Sequence, residues 1–380
     1  MKREIVIKTK QDQIKDELKK EIVSGRYEKG AKFLSQNQIA DHFKVSSITA
    51  RLAIAALVQE GLLVRRQGAG TFVTDFSAVM NSKNIGLVIH HSEFFNFSYF
   101  AEIARGIQIS FEATEFHSLL IPFREEDSVR SGERFLIELV RKKNLDGLIV
   151  AASQVVPGEL LRLRKEKIPF VLVNCYWPEK DFDFVCPEFF NTAYKVVKHL
   201  ARNGYKNIIY FGGYGNRFPI EKDRLAGYRK ALKDLRIERR KEYEILLPLE
   251  DFAKVSQRVG EVDSILEKCK GKSRVGIFCG TDLMAYDLCK YLVRKGYRIS
   301  EDVGVVGLGN LRFSDNMESS LTTVDCREKE MGRIGAEILL RKINGQSERK
   351  RIFLDTHLIV RQTCGSSQKT GKGVMARNSY

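Results

Sequence analysis

The chain has 380 residues, a formal net charge of +16 and a hydrophobic fraction of 43%. That length suits two or three domains with ordinary buried cores, and the basic excess suits a polyanionic partner. No apolar run of about 18 residues occurs, so no membrane span is expected, and the charged N-terminus lacks the apolar centre of a secretion signal.

Seven cysteines (Cys175, Cys186, Cys269, Cys279, Cys289, Cys326 and Cys364) form no CxxC pair and sit mostly in apolar runs. They read as reduced, buried thiols of a cytoplasmic protein, not a disulfide frame or a zinc site. Residues 1–75 carry 14 Lys/Arg against 9 Asp/Glu, and residues 361–380 carry 4 Lys/Arg and no acid. Charge therefore permits nucleic-acid binding without locating it.

Gln11 to Ser24 places Ile14, Leu18, Ile22 and Val23 at helical spacing, with Gly25 as a stop. Ser35-Gln36-Asn37-Gln38 fits a capping box that opens a second helix. Ser46 caps a third, running to about Glu60, on which Leu52, Ala53, Ala56 and Leu57 are expected to face inward. Ser47, Thr49, Ala50 and Arg51 lie near its exposed amino end. Two short helices joined by a tight turn describe a helix-turn-helix, whose second helix places its first residues against base edges. Leu63–Arg66 and Thr71–Val73 then form a hairpin with Gly68 and Gly70 at its tip. Its glycines let backbone approach phosphate, and Arg65 and Arg66 neutralise phosphates, so the hairpin reads as a wing.

The stretch "GAKFLSQNQIADHFKVSSITARLAIAALVQEGLLVRRQGAGTFV" resembles the GntR-type winged helix-turn-helix over nearly the full module. The resemblance implies that Arg51 contacts DNA. The DNA-facing set is then Ser35, Gln36, Asn37, Ser46, Ser47, Thr49, Arg51, Arg65, Arg66, Gly68, Gly70 and Thr71. The chain has Gln36-Asn37 where that family often has Glu-Arg, and Ser47 where it often has arginine.

From Asn84 the texture changes. "NIGLVIH", "HSLLIPF", "LDGLIVAA", "IPFVLVN", "KNIIYFGG", "SRVGIFCG" and "DVGVVGLG" read as buried parallel strands. Helical stretches lie between them: Tyr99–Glu115, Glu133–Lys143, Glu188–Asn203, Lys222–Leu235 and Asp282–Lys295. This is an α/β pattern, a doubly wound parallel sheet long enough for two lobes. Ligands in such folds bind at the carboxyl ends of strands. The loops there hold Phe94, Phe97, Tyr99 and the lone Trp177, aromatic faces that suit stacking on a sugar. Gly212-Gly213-Tyr214-Gly215 lacks the lysine and spacing of a phosphate loop. The six histidines show no metal-ligand spacing and no catalytic triad appears, so neither cofactor, metal nor enzymatic activity is expected.

Residues 84–365 look like the LacI/GalR-type effector domain, itself similar to type I periplasmic sugar-binding proteins. The carrying pieces include "FAEIARGIQ", "AYKVVKHLARNGYKNIIYFGG", "RLAGYRKAL", "CGTDLMAYDL", "EDVGVVGLGN" and "SSLTTVDCREKEMGRIGAEILL". The resemblance implies that Arg224 and Asp282 hold ligand hydroxyls, with Glu188 and Asn310 at two further family positions, and that Phe100–Phe116 lies in a dimer interface. The order of modules resembles arabinose-responsive repressors. The expected organisation is a DNA-binding head (1–75), a linker (76–83), a two-lobed effector and dimerisation domain (84–365) and a disordered basic tail (366–380). The expected function is a homodimeric repressor that binds a double-stranded operator and answers to a sugar. A solute-binding protein for sugar transport and a sugar-processing enzyme with a DNA-binding head are the rivals.

Overall fold

The computed structural model describes residues 9–23, 26–28, 30–59, 61–74, 82–91, 97–213, 218–247, 255–346 and 348–365. They divide into two compact units. One comprises Met1–His91, Gln108–Val171 and Gly335–Glu348, the other Ser92–Ile107, Leu172–Ile334 and Arg349–Tyr380.

The first unit begins with helices α1 (Lys10–Val23), α2 (Gln36–Phe43) and α3 (Ser47–Gln59), followed by strands β1 (Leu63–Arg66) and β2 (Gly70–Val73). Ile14, Leu18, Phe33, Ile39, Ala50, Ala53, Ile54 and Leu57 close one small core. The expected capping box forms: Gln38 N donates to Ser35 Oγ at 3.3 Å and Ser35 N donates to Gln38 Oε1 at 2.8 Å. Such a cap stabilises a helix by about 1 kcal/mol. Thr74 closes the module, its hydroxyl donating to Gly61 O at 2.8 Å. Of the expected linker only 82 and 83 are described, and the tail 366–380 lies outside the described residues. Buried Asp146 holds the end of the linker, accepting from Ser82 N (3.1 Å), Ser82 Oγ (2.7 Å) and Lys83 N (3.1 Å).

Strands β3 (Asn84–His90), β4 (His117–Phe123) and β5 (Gly147–Val150) then pair in parallel, with β3 in the middle. Between them come α4 (Phe97–Phe111), α5 (Glu125–Arg130) and α6 (Phe135–Lys143). Helix α7 (Pro157–Lys165) leads to β6 (Phe170–Val173), which starts beside β5, where Leu148 N donates to Pro169 O at 3.0 Å. All four residues of β5 are buried, as a parallel strand covered on both faces requires.

In the second unit the end of β6 pairs in parallel with β7 (Phe184–Pro187). After α8 (Phe189–Arg202) comes β8 (Asn207–Phe211), then α9 (Pro219–Asp234), β9 (Glu244–Ile245), α10 (Val255–Cys269), β10 (Val275–Cys279), α11 (Asp282–Arg294) and β11 (Val303–Val306). These strands form a parallel sheet in the order β11-β10-β8-β9. The chain ends through β12 (Thr323–Asp325), α12 (Glu328–Ile343), β13 (Arg351–Leu354) and β14 (His357–Ile359). Strand β13 pairs with β7, and β14 runs antiparallel to β12. Strands β7, β9, β12, β13 and β14 were not expected. They are two to four residues long, and β7 ends in a proline, so neither length nor alternation marks them.

Two glycines set how α4 and α12 cross. A Cβ on Gly106 would fall 1.8 Å from Lys329 O, and one on Gly332 would fall 2.0 Å from Ile103 O. The backbones touch there, and the amino ends of both helices, at Tyr99 and Glu328, are carried to one place. Gly332→Ala is expected to destabilise the protein by about 1–3 kcal/mol through overpacking against a carbonyl. Gly260, exposed on α10 with nothing near its missing Cβ, is the control: Gly260→Ala should stabilise by up to about 1 kcal/mol. Urea denaturation midpoints of the two variants check both signs.

Candidate DNA-binding face and effector site

In the head, Ser46 Oγ accepts from Thr49 N at 3.2 Å and lies 2.9 Å from Thr49 Oγ1, so both residues are spent on capping α3. Ser35 is likewise spent on capping α2. Gln36, Asn37, Ser47 and Arg51 are exposed on the amino-terminal turns of α2 and α3. The expected inward phase of α3 needs correction. Ala50, Ala53, Ile54 and Leu57 form the buried stripe, whereas Leu52 is 45% exposed. Helical spacing i, i+3, i+4, i+7 starting at Ala50 selects this set, and Leu52 lies on the opposite side.

The wing is a hairpin in register Leu63↔Val73 to Arg66↔Gly70. Gly68 (φ 74°) and Gly70 (φ 116°) adopt left-handed backbone at its tip, a conformation that favours glycine. A third short segment joins it, with Phe33 N donating to Thr71 O at 2.8 Å. That segment brings Lys32, a cation the sequence pattern does not single out, beside Gly70. Arg65 and Arg66 are both exposed, and the Arg66 guanidinium lies over the Phe72 ring at 4.8 Å. Thr71 is half-buried.

Arg224 is the centre of the second site. It is buried on α9 and donates through Nη1 to Gly280 O at 3.2 Å. Glu221, one turn earlier, answers its charge at 3.6 Å, and the Phe189 ring lies 4.3 Å beneath it. Burial opposes the guanidinium charge, but Glu221 and Tyr210 overcome it and leave Arg224 more firmly protonated than usual. Its Nε–H has no hydrogen-bond partner. Tyr99, from the start of α4, donates its hydroxyl to Asn174 Oδ1 at 3.0 Å. Burial pushes that phenol well up, with Cys326 and Glu328 adding to the shift and Arg224 opposing it.

Glu328 is not marked by the sequence pattern, because a glutamate opening a helix looks like an ordinary dipole partner. It is 7% exposed, and its Oε1 accepts from nothing. Burial, then the charges of Asp325 and Asp282, push its carboxyl up to about 8. The group therefore stays mostly protonated near neutral pH. Together Arg224, Glu328 and Tyr99 supply donors, an acceptor and ring faces in a desolvated place, a set suited to hydroxyl groups.

Other expected residues sit differently. Asp282 is fully buried and accepts from Leu311 N (2.8 Å), Ser314 Oγ (2.7 Å) and Thr323 Oγ1 (2.5 Å). Both its oxygens are engaged by its own surroundings, so its visible work is to tie the start of α11 to the loop after β11. Asn310, at φ 43°, accepts from Arg361 Nη2 at 2.9 Å. Glu188 accepts from Asn191 Nδ2 at 2.5 Å. Trp177 is half-buried in the loop after β6. The side chain of Phe97, and residues 92–96 and 214–217 whole, lie outside the described residues. All seven cysteines are buried thiols. Among the described residues, no cluster of His, Cys, Asp or Glu is arranged for a metal, and no helix is long and apolar enough to cross a membrane.

Residues 10–73 match the bacterial regulatory proteins of the gntR family, and residues 197–364 match the periplasmic binding protein-like domain. The chain joins a GntR-type head to a periplasmic-binding-protein-like domain. The arabinose metabolism transcriptional repressor of Halalkalibacterium halodurans is 28% identical over 386 residues, covering 97% of this chain and 100% of that protein. The HTH-type transcriptional repressor PurR of Aliivibrio fischeri is 25% identical over 273 residues, 72% of this chain and 78% of its own. The structure of a putative transcriptional regulator LacI from Bacillus cereus aligns with a TM-score of 0.66 at 26% identity, covering 75% of this chain and 99% of that one. A LacI family regulator from Enterococcus faecium with bound ribose shares the fold, with a TM-score of 0.63 at 24% identity, covering 74% and 98%. These likenesses support a DNA-binding transcriptional regulator over a transport protein or a sugar-processing enzyme.

The buried Glu328 makes stability depend on pH. Its folded pKa lies above the unfolded value of 4.5. The folded protein therefore holds the proton more tightly, and this contribution is full below 4.5 and lost as pH rises through about 8. Glu328→Gln removes the titration. The wild type should lose stability relative to this variant across that window, by on the order of a few kcal/mol. Thermal melts of both proteins at pH 5, 7 and 9 check the direction.

Proposed function

We propose that this protein is a transcriptional repressor, acting in the cytoplasm as a homodimer, whose grip on a double-stranded operator is set by a sugar held around Arg224. The observation that carries the reading is one chain with two built faces. One is a winged head with exposed Arg51, Arg65 and Arg66; the other is a buried polar site whose Arg224 Nε and Glu328 Oε1 have no partner. A relative named for arabinose metabolism supports a sugar, as do fold neighbours solved with ribose and with cellobiose. On this reading no reaction is catalysed. The sugar binds one arrangement of the effector domain better than another, and that difference is what can move the heads. Residues 1–75 form the head and 84–365 the effector domain.

A dimer is favoured by apolar side chains left partly open in the first unit. Ile109 lies at the end of α4, and Leu119 and Leu120 lie on β4, whose partner among the described strands is β3 alone. An uncovered strand edge with leucines on it invites a second chain.

Two experiments test the reading. Arg65→Ala/Arg66→Ala should weaken binding to every DNA sequence, with the slope of log K against log salt falling by about 0.9 for each phosphate no longer neutralised; an unchanged slope, read by fluorescence anisotropy, would remove the wing from the interface. For the effector site, Arg224→Ala alone would strand Glu221 in the interior. The double variant Glu221→Gln/Arg224→Met removes both charges at similar volume. It should keep operator affinity near normal and bind L-arabinose or D-ribose, whichever the wild type prefers, about 10- to 100-fold more weakly by isothermal titration. Wild-type sugar affinity in this variant would contradict the assignment.

A further inference from the structure

Helix α3 presents two large aliphatic side chains to solvent: Ile48 is 62% exposed and Leu52 is 45% exposed. The helix does not need them for its core, which Ala50, Ala53, Ile54 and Leu57 already fill. They stand four residues apart and share one face. Exposed Ser47, Arg51 and Ala55 surround them, so the patch is aliphatic at its centre and polar or cationic at its rim. The wing cations Arg65 and Arg66 belong to the same head.

Resting on the DNA-binding reading, we infer that Ile48 and Leu52 read the C5-methyl groups of thymines in the major groove of the operator. In that groove the methyl of thymine is the apolar feature that a base edge offers, and aliphatic side chains recognise it by contact. A recognition helix brings its first turns to the base edges, and Ile48 and Leu52 are the second and sixth residues of α3. Ile48 is β-branched, so its χ1 is stiff and binding costs it little freedom. Four residues of helix advance about 6 Å. Base pairs advance about 3.4 Å, so the two side chains address thymines roughly two steps apart in each half-site. The charged rim contacts phosphates, which position the helix without carrying sequence information.

The test uses the full-length protein. An operator is first selected from a randomised DNA library, and each of its thymines is then replaced singly by deoxyuridine, which removes the methyl and keeps every hydrogen-bonding group. Wild-type affinity should fall about fourfold at one or two positions per half-site, the effect of one buried methyl-sized group. Ile48→Ala should abolish that sensitivity at one position and Leu52→Ala at the other, with melting temperatures unchanged because neither residue is buried. Equal wild-type affinity for thymine and uracil operators overturns the inference while leaving DNA binding intact. So does sensitivity that survives in both alanine variants. A change of oligomeric state on Ile48→Ser/Leu52→Ser, by light scattering, assigns the patch to protein contact and overturns it as well. Failure to select any DNA sequence overturns the DNA-binding reading and this inference together.

Discussion

A guanidinium removed from water has to be answered by its surroundings, and the second unit is organised around that demand at Arg224. Burying a lone charge costs far more than a fold can bear. Glu221 supplies the countercharge one helical turn away, Gly280 supplies a carbonyl, and Phe189 supplies a ring face. These partners come from α9 itself, the end of β10 and α8, so Arg224 fixes where the three meet. Gly227 lets α9 lie so near α8 that a Cβ there would fall 2.1 Å from Phe190 O. The crossing of α4 on α12 at Gly106 and Gly332 then delivers Tyr99 and Glu328 to the same place. Several polar atoms around it remain unanswered: one N–H of Arg224, one oxygen each of Glu221 and Glu328, and the Tyr210 hydroxyl. A ligand with neighbouring hydroxyls would satisfy such groups.

The charge around the site also frames what it can hold. Glu221 neutralises Arg224, and burial keeps Glu328 largely protonated near neutral pH. Asp282 is already saturated by Leu311, Ser314 and Thr323. Arg224 with Glu221, and Glu328 when protonated, thus offer hydrogen bonds in excess of net charge. That favours a neutral, hydroxyl-rich ligand over a strongly ionic one, in keeping with the sugar reading.

Much of this was legible in the sequence, for identifiable reasons. The seven expected strands announced themselves as nearly unbroken Val/Ile/Leu/Phe runs, and the head as caps, turns and a glycine-tipped hairpin. Arg224 stood out through its setting in "RLAGYRKAL". Other features were invisible because they depend on tertiary placement. Nothing local distinguishes Leu52 from Ile54; the phase of α3 against α1 and α2 decides which is buried. Glu328 reads as a helix-opening acid until α4 is laid across α12. Asp282 matched a ligand-holding position in pattern, yet three partners distant in sequence take up its oxygens. Strands such as β13, "RIFL", are too short and too close to charge to be recognised without their partner β7.

Trp177, the only tryptophan, stands half-buried in the loop after β6, and its emission reports any change there. A complex of the protein with labelled operator is titrated with L-arabinose, D-ribose and cellobiose in turn, while tryptophan emission and operator anisotropy are read from the same cuvette. A sugar held around Arg224 is expected to shift operator anisotropy for one of the three, and that shift is expected to be lost in Glu221→Gln/Arg224→Met. An operator affinity that none of the three sugars alters would contradict the account, as would a sugar effect that persists undiminished in Glu221→Gln/Arg224→Met.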